Sequence, residues 1–352
     1  MNAQTELARK ILSEYDGPPI RVMEVCGTHT HEIFRLGIRS VLPKQLEVIS
    51  GPGCPVCVTP AEYIDEAVWL ALEKNVTICT FGDLVRVPGS RSSLADARSR
   101  GARIQVVYAP EDAMRYAGEH PEEEVVFLSV GFETTTPASC LALQKAEEAG
   151  ITNFSLLTAN KTMPGAYLAM GDSADAFLYP GHVHAIIGTG LCEQLAAENG
   201  ISGVAAGFTA SDLLLAFALI VKKTQEGKPF FVNAYPRVVT REGSPAAVRL
   251  VEEWMEPCDS EWRGIGIIPD SGLQLKKKRD VYDARIRFGI PKMDAARPTA
   301  CRCGEVLQGI CRPTDCKLFG KACVPDHPVG ACMVSGEGAC SAYYQYGGYI
   351  NG

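Results

Sequence analysis

Cys54 and Cys57 lie in GPGCPVCVTP, residues 51–60, a C-x-x-C pair caged by Gly and Pro. Thiols at this spacing can supply half a zinc site or trade electrons as a dithiol. The Gly-Pro-Gly lead and Pro55 hold the sulfurs at bridgeable distance. A helix beginning just after them would favour thiolate through its positive end. The plainer reading is a tight turn whose small cysteines only pack. CGTHTHE, residues 26–32, gathers a thiol, two imidazoles and a carboxylate within seven residues. Cys26 and His29 are the candidates there for holding iron or zinc, and His31 reads as a surface histidine. GFETT, residues 131–135, offers Glu133 as an acceptor of a proton or hydrogen bond, with Thr134 beside it. Its threonines could instead cap the following helix. GHVHAIIGTG, residues 181–190, adds His182 and His184. Its GTG does not match the dinucleotide pattern G-x-G-x-x-G, and neither a P-loop nor a G-x-S-x-G elbow occurs.

The remaining sulfur is concentrated near the end of the chain. Of 14 cysteines, seven fall within residues 301–340. Cys316, Cys323, Cys332 and Cys340 are spaced C-x6-C-x8-C-x7-C, and Cys301, Cys303 and Cys311 precede them. This is neither a zinc ribbon nor the bacterial ferredoxin run. Four thiolates in 25 residues, with His327 among them, favour an iron–sulfur cluster or zinc, and spacing does not choose between the two. The segment is rich in Gly and Pro and poor in apolar periodicity, so a metal cluster would stabilise its fold.

The elements that must position these groups follow from hydropathy. The chain has 352 residues, 46% hydrophobic and 21% charged, with net charge −7. That is the profile of a globular protein with room for a large core. No apolar run reaches the roughly 18–20 residues that span a bilayer. The basic cluster Lys276–Arg279 is followed by Asp280 and Asp283, which reads as a solvated loop and not as a nucleic-acid patch. MNAQTELARKILSEYDG reads as an amphipathic helix, not a secretion signal. A reducing, cytoplasmic setting is therefore expected, where so many thiols serve metal binding or redox chemistry better than static disulfides.

Strand candidates are 21–25, 46–50, 76–80 and 104–108, then 125–130, 154–158, 185–187 and 204–206. Helical stretches such as 61–74 and 139–149 alternate with them. This pattern predicts parallel sheets with crossover helices. VMEVCGTHT and VFLSVGFETT look alike, so two similar small α/β domains are expected, over 20–118 and 119–215. A third unit, 216–352, would carry the cysteine-rich end and pack with the N-terminal helix 1–19. Thr59, Pro60 and Glu62 read as the cap of helix 61–74. Cys26 and the C-x-x-C pair then end neighbouring strands at the edge where open α/β sheets bind ligands, with GFETT facing them across a cleft.

The strings CGTHTH, GPGCPVCVTP and GFETT, together with CMVSGEGACSAYY at 332–344, closely resemble the HypD family, maturation proteins for NiFe hydrogenases. The resemblance runs from about residue 20 to the end. It implies two similar α/β domains around a cleft and a third domain holding a 4Fe-4S cluster. It implies a complex with the small chaperone HypC, on which the Fe(CN)2CO group is assembled, with cyanide coming from HypE together with HypF. By motif, Cys26 resembles the thiol that holds the iron and Cys54 and Cys57 the redox pair. Cys316, Cys323, Cys332 and Cys340 resemble the cluster ligands, with Cys311 near enough to compete. Cys301 and Cys303 stand as extras, and His184 falls where relatives are expected to carry a small hydroxyl residue. The expected role is a scaffold and electron relay with no ordinary turnover. The competing expectations are an iron–sulfur-dependent protein disulfide reductase acting through Cys54 and Cys57, and a zinc-bound interaction module.

Overall fold

The computed structural model describes residues 3–293 and 300–347. Its strands are β1 (Ile20–Glu24), β2 (Leu46–Ser50), β3 (Thr77–Thr80), β4 (Ile104–Val106), β5 (Val125–Gly131) and β6 (Phe154–Asn160). They continue with β7 (Ala176–Pro180), β8 (Gly203–Ala206), β9 (Phe231–Asn233), β10 (Met255–Trp262) and β11 (Gly266–Leu275). Two parallel sheets result, ordered β2-β1-β7-β8-β9 and β4-β3-β5-β6, plus the antiparallel hairpin β10-β11. The α/β expectation with parallel sheets therefore holds.

Both parallel sheets are covered on both faces, as such sheets require. In the first, side chains alternate cleanly between two cores. Val22, Val48, Leu178 and Val204 face the helices Ala3–Ser13 and Ala210–Thr224. Met23, Ile49, Phe177 and Tyr179 face the central core, which also takes in Cys54, Cys57, Phe132, Trp262 and Cys332. In the second sheet Val126 and Leu128 pack on the helix Ala61–Glu73, while Phe127 and Leu156 pack toward Trp254 and Leu143.

Strand pairing does not follow the contiguous division expected at residue 118. β3 and β4 pair with β5 and β6, while β1 and β2 pair with β7. The chain leaves the first sheet after β2, builds the whole second sheet, and returns through β7. The polar stretch 118–124 is only the loop between the helix Pro110–Glu119 and β5. The expected 216–352 unit is likewise divided. β9 completes the first sheet, whereas Met255 and Leu275 of the hairpin pack in the core of the second. The N-terminal helix packs by Ala8 and Leu12 on Leu213 and Phe217 of the helix Ala210–Thr224.

Two local expectations are also corrected. Residues 185–187 belong to the helix Gly181–Ile187, and the strand is the fully buried AFLYP of β7. Pro180 has no N–H to extend a ladder and suits a helix start, so strand gives way to helix there. Gly188, at φ 76°, ends that helix in a conformation costly for other residues. Thr59 does not cap the helix Ala61–Glu73. It terminates a separate turn, Pro55–Val58, where its hydroxyl donates to the Pro55 carbonyl at 2.8 Å.

The N-terminal helix supplies core volume to the first sheet, so Leu12→Ala should lower unfolding free energy by about 2–5 kcal/mol in a urea titration. A loss within a few tenths of a kcal/mol would show that this helix is not docked.

Candidate functional site

β1 delivers its chain to Cys26, which stands at the N-cap of the helix Gly27–Arg35. Because β1 and β2 are neighbours, the loop after β2 runs directly beside this turn. The Gly27 amide donates to the Gly53 carbonyl at 2.9 Å. A Cβ on Gly53 would lie 2.0 Å from the Cys26 amide nitrogen, so only glycine allows this approach. The two motifs share one crevice, as their placement at strand ends implied.

Cys26 is 2% exposed. Burial pushes its thiol up, with Glu337 and Glu24 adding to the effect, while the amides of His29 and Thr28 oppose it. In the metal-free protein it is a protonated thiol. His29 is fully buried, its Nε2 3.1 Å from the Gly207 carbonyl and its Nδ1 without a hydrogen-bond partner. Burial lowers its pKa to about 3. It is thus a neutral imidazole that donates from Nε2 and keeps the Nδ1 lone pair. His31 sits outside the site, 3.3 Å from the Gly336 carbonyl and edge-on to Tyr346.

His182, noted in the sequence but not placed at the site, belongs beside Cys26. Its Nε2 lies 3.9 Å from Cys26 Sγ, its ring stacks on Phe208, and burial lowers its pKa to about 4. The signal was present in PGHVH, but placing the strand at 185–187 hid the fact that His182 follows a strand end. Glu24 and Glu337 escaped the sequence reading. Glu24 is buried, accepts from Thr30 at 2.6 Å, and is raised by burial to about 8. Glu337 accepts from Thr28 at 2.7 Å and so ties the C-terminal motif to the Cys26 helix.

Cys54 caps the turn Pro55–Val58, and its sulfur accepts from the Cys57 amide at 3.3 Å. The two sulfurs are 2.6 Å apart, with Cys57 0% exposed. Burial raises the Cys57 thiol well above its usual value. Cys57 reaches beyond this pair. Cys332 accepts hydrogen bonds from Cys303 and from Cys57, and these lower its pKa.

Cys332 opens onto a pocket lined by Cys301, Cys303, Cys316, Cys323, Cys332 and Cys340, with Val306, Phe319 and Met333 as apolar walls. The four cysteines predicted as a set therefore share one cavity. Cys311 lines a different one, beside Arg21 and Glu47, and His327 is exposed in a turn. Among the described residues, no three His, Cys, Asp or Glu side chains already converge on one metal position. The donor set, soft sulfur in an apolar enclosure, fits an iron–sulfur cluster.

Glu133 follows β5 and is buried. Its Oε1 accepts from the Met163 amide at 2.8 Å, Oε2 has no partner, and burial raises its pKa to about 7. Thr134 is half-buried beside it, and the helix Thr136–Ala149 has no side-chain cap from Thr135. Phe132 stacks on Trp262 in the same core as Val25, Cys54 and Cys57, so the ends of both sheets meet there. Tyr167, also buried, lies within electrostatic reach of Glu133 and Cys26. His184 is a satisfied core histidine, held by the Gly188 carbonyl at 2.9 Å and by Tyr167 at 3.4 Å.

Comparison with known proteins gives a consistent answer. A family model, HypD, described as "Hydrogenase formation hypA family", matches residues 2–347. The chain is similar to hydrogenase maturation factor HypD2 of Bradyrhizobium diazoefficiens, 43% identical over 354 residues, which covers 97% of this chain and 93% of the relative. It is similar to HypD of Cupriavidus necator, 41% identical over 359 residues, 97% and 95% covered. HypD of Escherichia coli is 42% identical over 333 residues, 93% and 89% covered.

Gly53→Ala should force the two motif loops apart at a cost on the order of 1–3 kcal/mol and speed alkylation of Cys26. An unchanged melting curve and labelling rate would contradict the close approach. His184 gives a pH test. Its folded pKa, about 4, lies below its ordinary 6.5, so the unfolded chain binds the proton first as pH falls. Its contribution is complete above about 6.5 and declines toward 4. His184→Gln should flatten that decline in urea midpoints, and a parent-like slope would rule it out.

Proposed function

The chain belongs to the HypD family of hydrogenase-formation proteins, and from that premise we propose that it is a scaffold and electron relay on which the Fe(CN)2CO group of NiFe hydrogenases is assembled. The observation that carries the reading is the succession of three thiol groups: Cys26 at a crevice, the loop of Cys54 and Cys57 packed on the Cys26 backbone through Gly53, and Cys332 of the cysteine pocket against Cys57. Among the described residues no helix is long and apolar enough to cross a membrane.

In this reading the iron is cargo. Cys26 is a soft ligand suited to it, and metal coordination removes the proton that burial otherwise keeps on the thiol. His182 Nε2, 3.9 Å from Cys26 Sγ and kept neutral by burial, is placed to take that proton. His29 supplies a second neutral imidazole beneath the same turn. Glu133, with Oε2 unpartnered and a pKa near 7, can hold or release a proton, and Thr134 offers a hydroxyl next to it. Cys54 and Cys57 give up two electrons and two protons when they close to a disulfide. Cys316, Cys323, Cys332 and Cys340 would hold a 4Fe-4S cluster, which when bound supplies electrons singly. The partners are a HypC-type small chaperone, which would complete the iron site over Cys26, and HypE with HypF as the source of cyanide.

The alternative, a protein disulfide reductase acting through Cys54 and Cys57, is disfavoured by access. With Cys54 3% and Cys57 0% exposed, a disulfide on another protein cannot reach either sulfur without opening the core.

The test is an infrared spectrum of the protein purified anaerobically with its small partner. Cyanide and carbonyl stretches should be present and should vanish in Cys26→Ala. Their persistence in that variant would refute the assignment of the iron to Cys26, and a full complement of bands in Cys54→Ser would refute an essential role for the pair.

A further inference from the structure

The proposed function leaves one buried charge without a task. Lys161 is 2% exposed, yet no carboxylate among the described residues pairs with its ammonium group. We propose that Lys161 anchors a second binding site, which takes the carboxylate of a short aliphatic acid.

Lys161 follows β6 at its carboxyl end, the edge where open α/β sheets bind ligands. Its amide donates to the Gly131 carbonyl at 2.9 Å, beside the turn that carries Glu133. Its Nζ donates to Ser260 Oγ and to the Glu261 carbonyl, both at 2.6 Å, and lies 5.3 Å from the centre of the Trp262 ring. An ammonium has three N–H groups, so one is left without an acceptor among the described residues. Neutral oxygens and a ring face offset a buried charge only in part. Burial accordingly lowers the Lys161 pKa to about 8, while Cys258 and Glu261 oppose that shift and Arg285 adds to it. The group lines a cavity of about 270 Å³.

The walls of that cavity select the ligand. Arg285, its other cation, is already held: Nε and Nη2 donate to Glu66, and Nη1 donates to the Thr158 carbonyl at 2.9 Å. One positive charge is therefore left to offset, and one negative charge does so. Asp259 and Glu261 are exposed on the same cavity, which Glu62 and Glu66 also line. A phosphate ester or other polyanion would set its further charges against these carboxylates. A monocarboxylate meets the free N–H of Lys161 with one oxygen and brings no second charge. Pro60, Ala159 and Leu273 supply apolar wall for a short alkyl chain.

The experiment titrates the full chain, as Cys258→Ser so that no thiol ionises in the cavity, with sodium propionate and with neutral propionamide at fixed ionic strength. Binding is read from the NMR linewidths of the ligand. Propionate should bind saturably, and propionamide about tenfold more weakly or not at all. Propionate affinity should be about tenfold lower at pH 9 than at pH 7, because the free amine loses its proton between the two. Among the other groups facing the amine, carboxyl groups do not titrate in that range, Arg285 keeps its proton, and burial raises Tyr63 well above its usual value. Adding Lys161→Met should abolish saturable binding. The proposal fails if propionamide matches propionate, if affinity is equal at pH 7 and pH 9, or if the folded Lys161→Met protein still binds. The first two outcomes need no change at Lys161, so they decide the matter even where that variant does not fold. None of these readings involves iron, so the site stands or falls separately from the assignment of iron to Cys26.

Discussion

Exclusion of water from sulfur is the constraint on which the rest of this structure depends. Cys26, Cys54, Cys57, Cys316, Cys323, Cys332 and Cys340 are all buried. In so dry a setting an isolated thiolate is costly, and burial raises Cys26 and Cys57 accordingly. A soft cation is then the natural compensation, because it replaces the proton while satisfying the charge. The same burial lowers His29 and His182 to about 3 and 4, so the bases near Cys26 stay neutral at ordinary pH. The chemistry is set by a low-dielectric enclosure more than by any single charged neighbour.

That enclosure needs backbone contacts that side chains would spoil. Gly53 lies on Cys26, Gly27 on Glu337, and Gly338 on the Cys332 carbonyl. The first two of these contacts each join two of the sequence motifs. The C-terminal segment, poor in apolar periodicity, is thereby fastened to the strand ends by Glu337 on Thr28 and by Phe34 against Tyr343. A region that could not bury itself borrows the core between two sheets, where Cys332, Met333 and Cys340 join Cys54 and Phe132.

Much of this was legible in the chain. Short motifs at strand ends carry both type and position, so Cys26, Cys54 and Cys57 could be placed on one crevice from the strand–turn–helix pattern. The helix at 61–73 was visible as periodicity. Pairing was not. Every parallel strand here is an apolar run with no mark of its neighbour, so the passage of β3 and β4 into the second sheet left no local signal. AFLYP lost to the nearby AII because both are short apolar runs, and that slip concealed His182 at its strand end. Thr59 was misassigned because the chain makes two consecutive helical starts, and a capping pattern cannot say which of them it serves. Which cysteines share a cavity is a matter of tertiary packing, which separates Cys311 from Cys316 although only four residues lie between them.

The detour of the chain between β2 and β7 also governs the order of events at the ribosome. β1 meets β7 only after some 150 intervening residues have been made, since Val22 pairs with Ala176, and such distant closure is slow relative to local structure. The inserted sheet, whose strands are consecutive in the chain, can form first. The crevice around Cys26 is sealed last, when the turn at Glu337 and the helix Ala339–Tyr346 after it bring Glu337 to Thr28 and Tyr343 to Phe34. A nascent chain therefore passes most of its synthesis with the Cys26 sulfur unsheltered, and capture of stray metal is a hazard of birth, not of the finished fold.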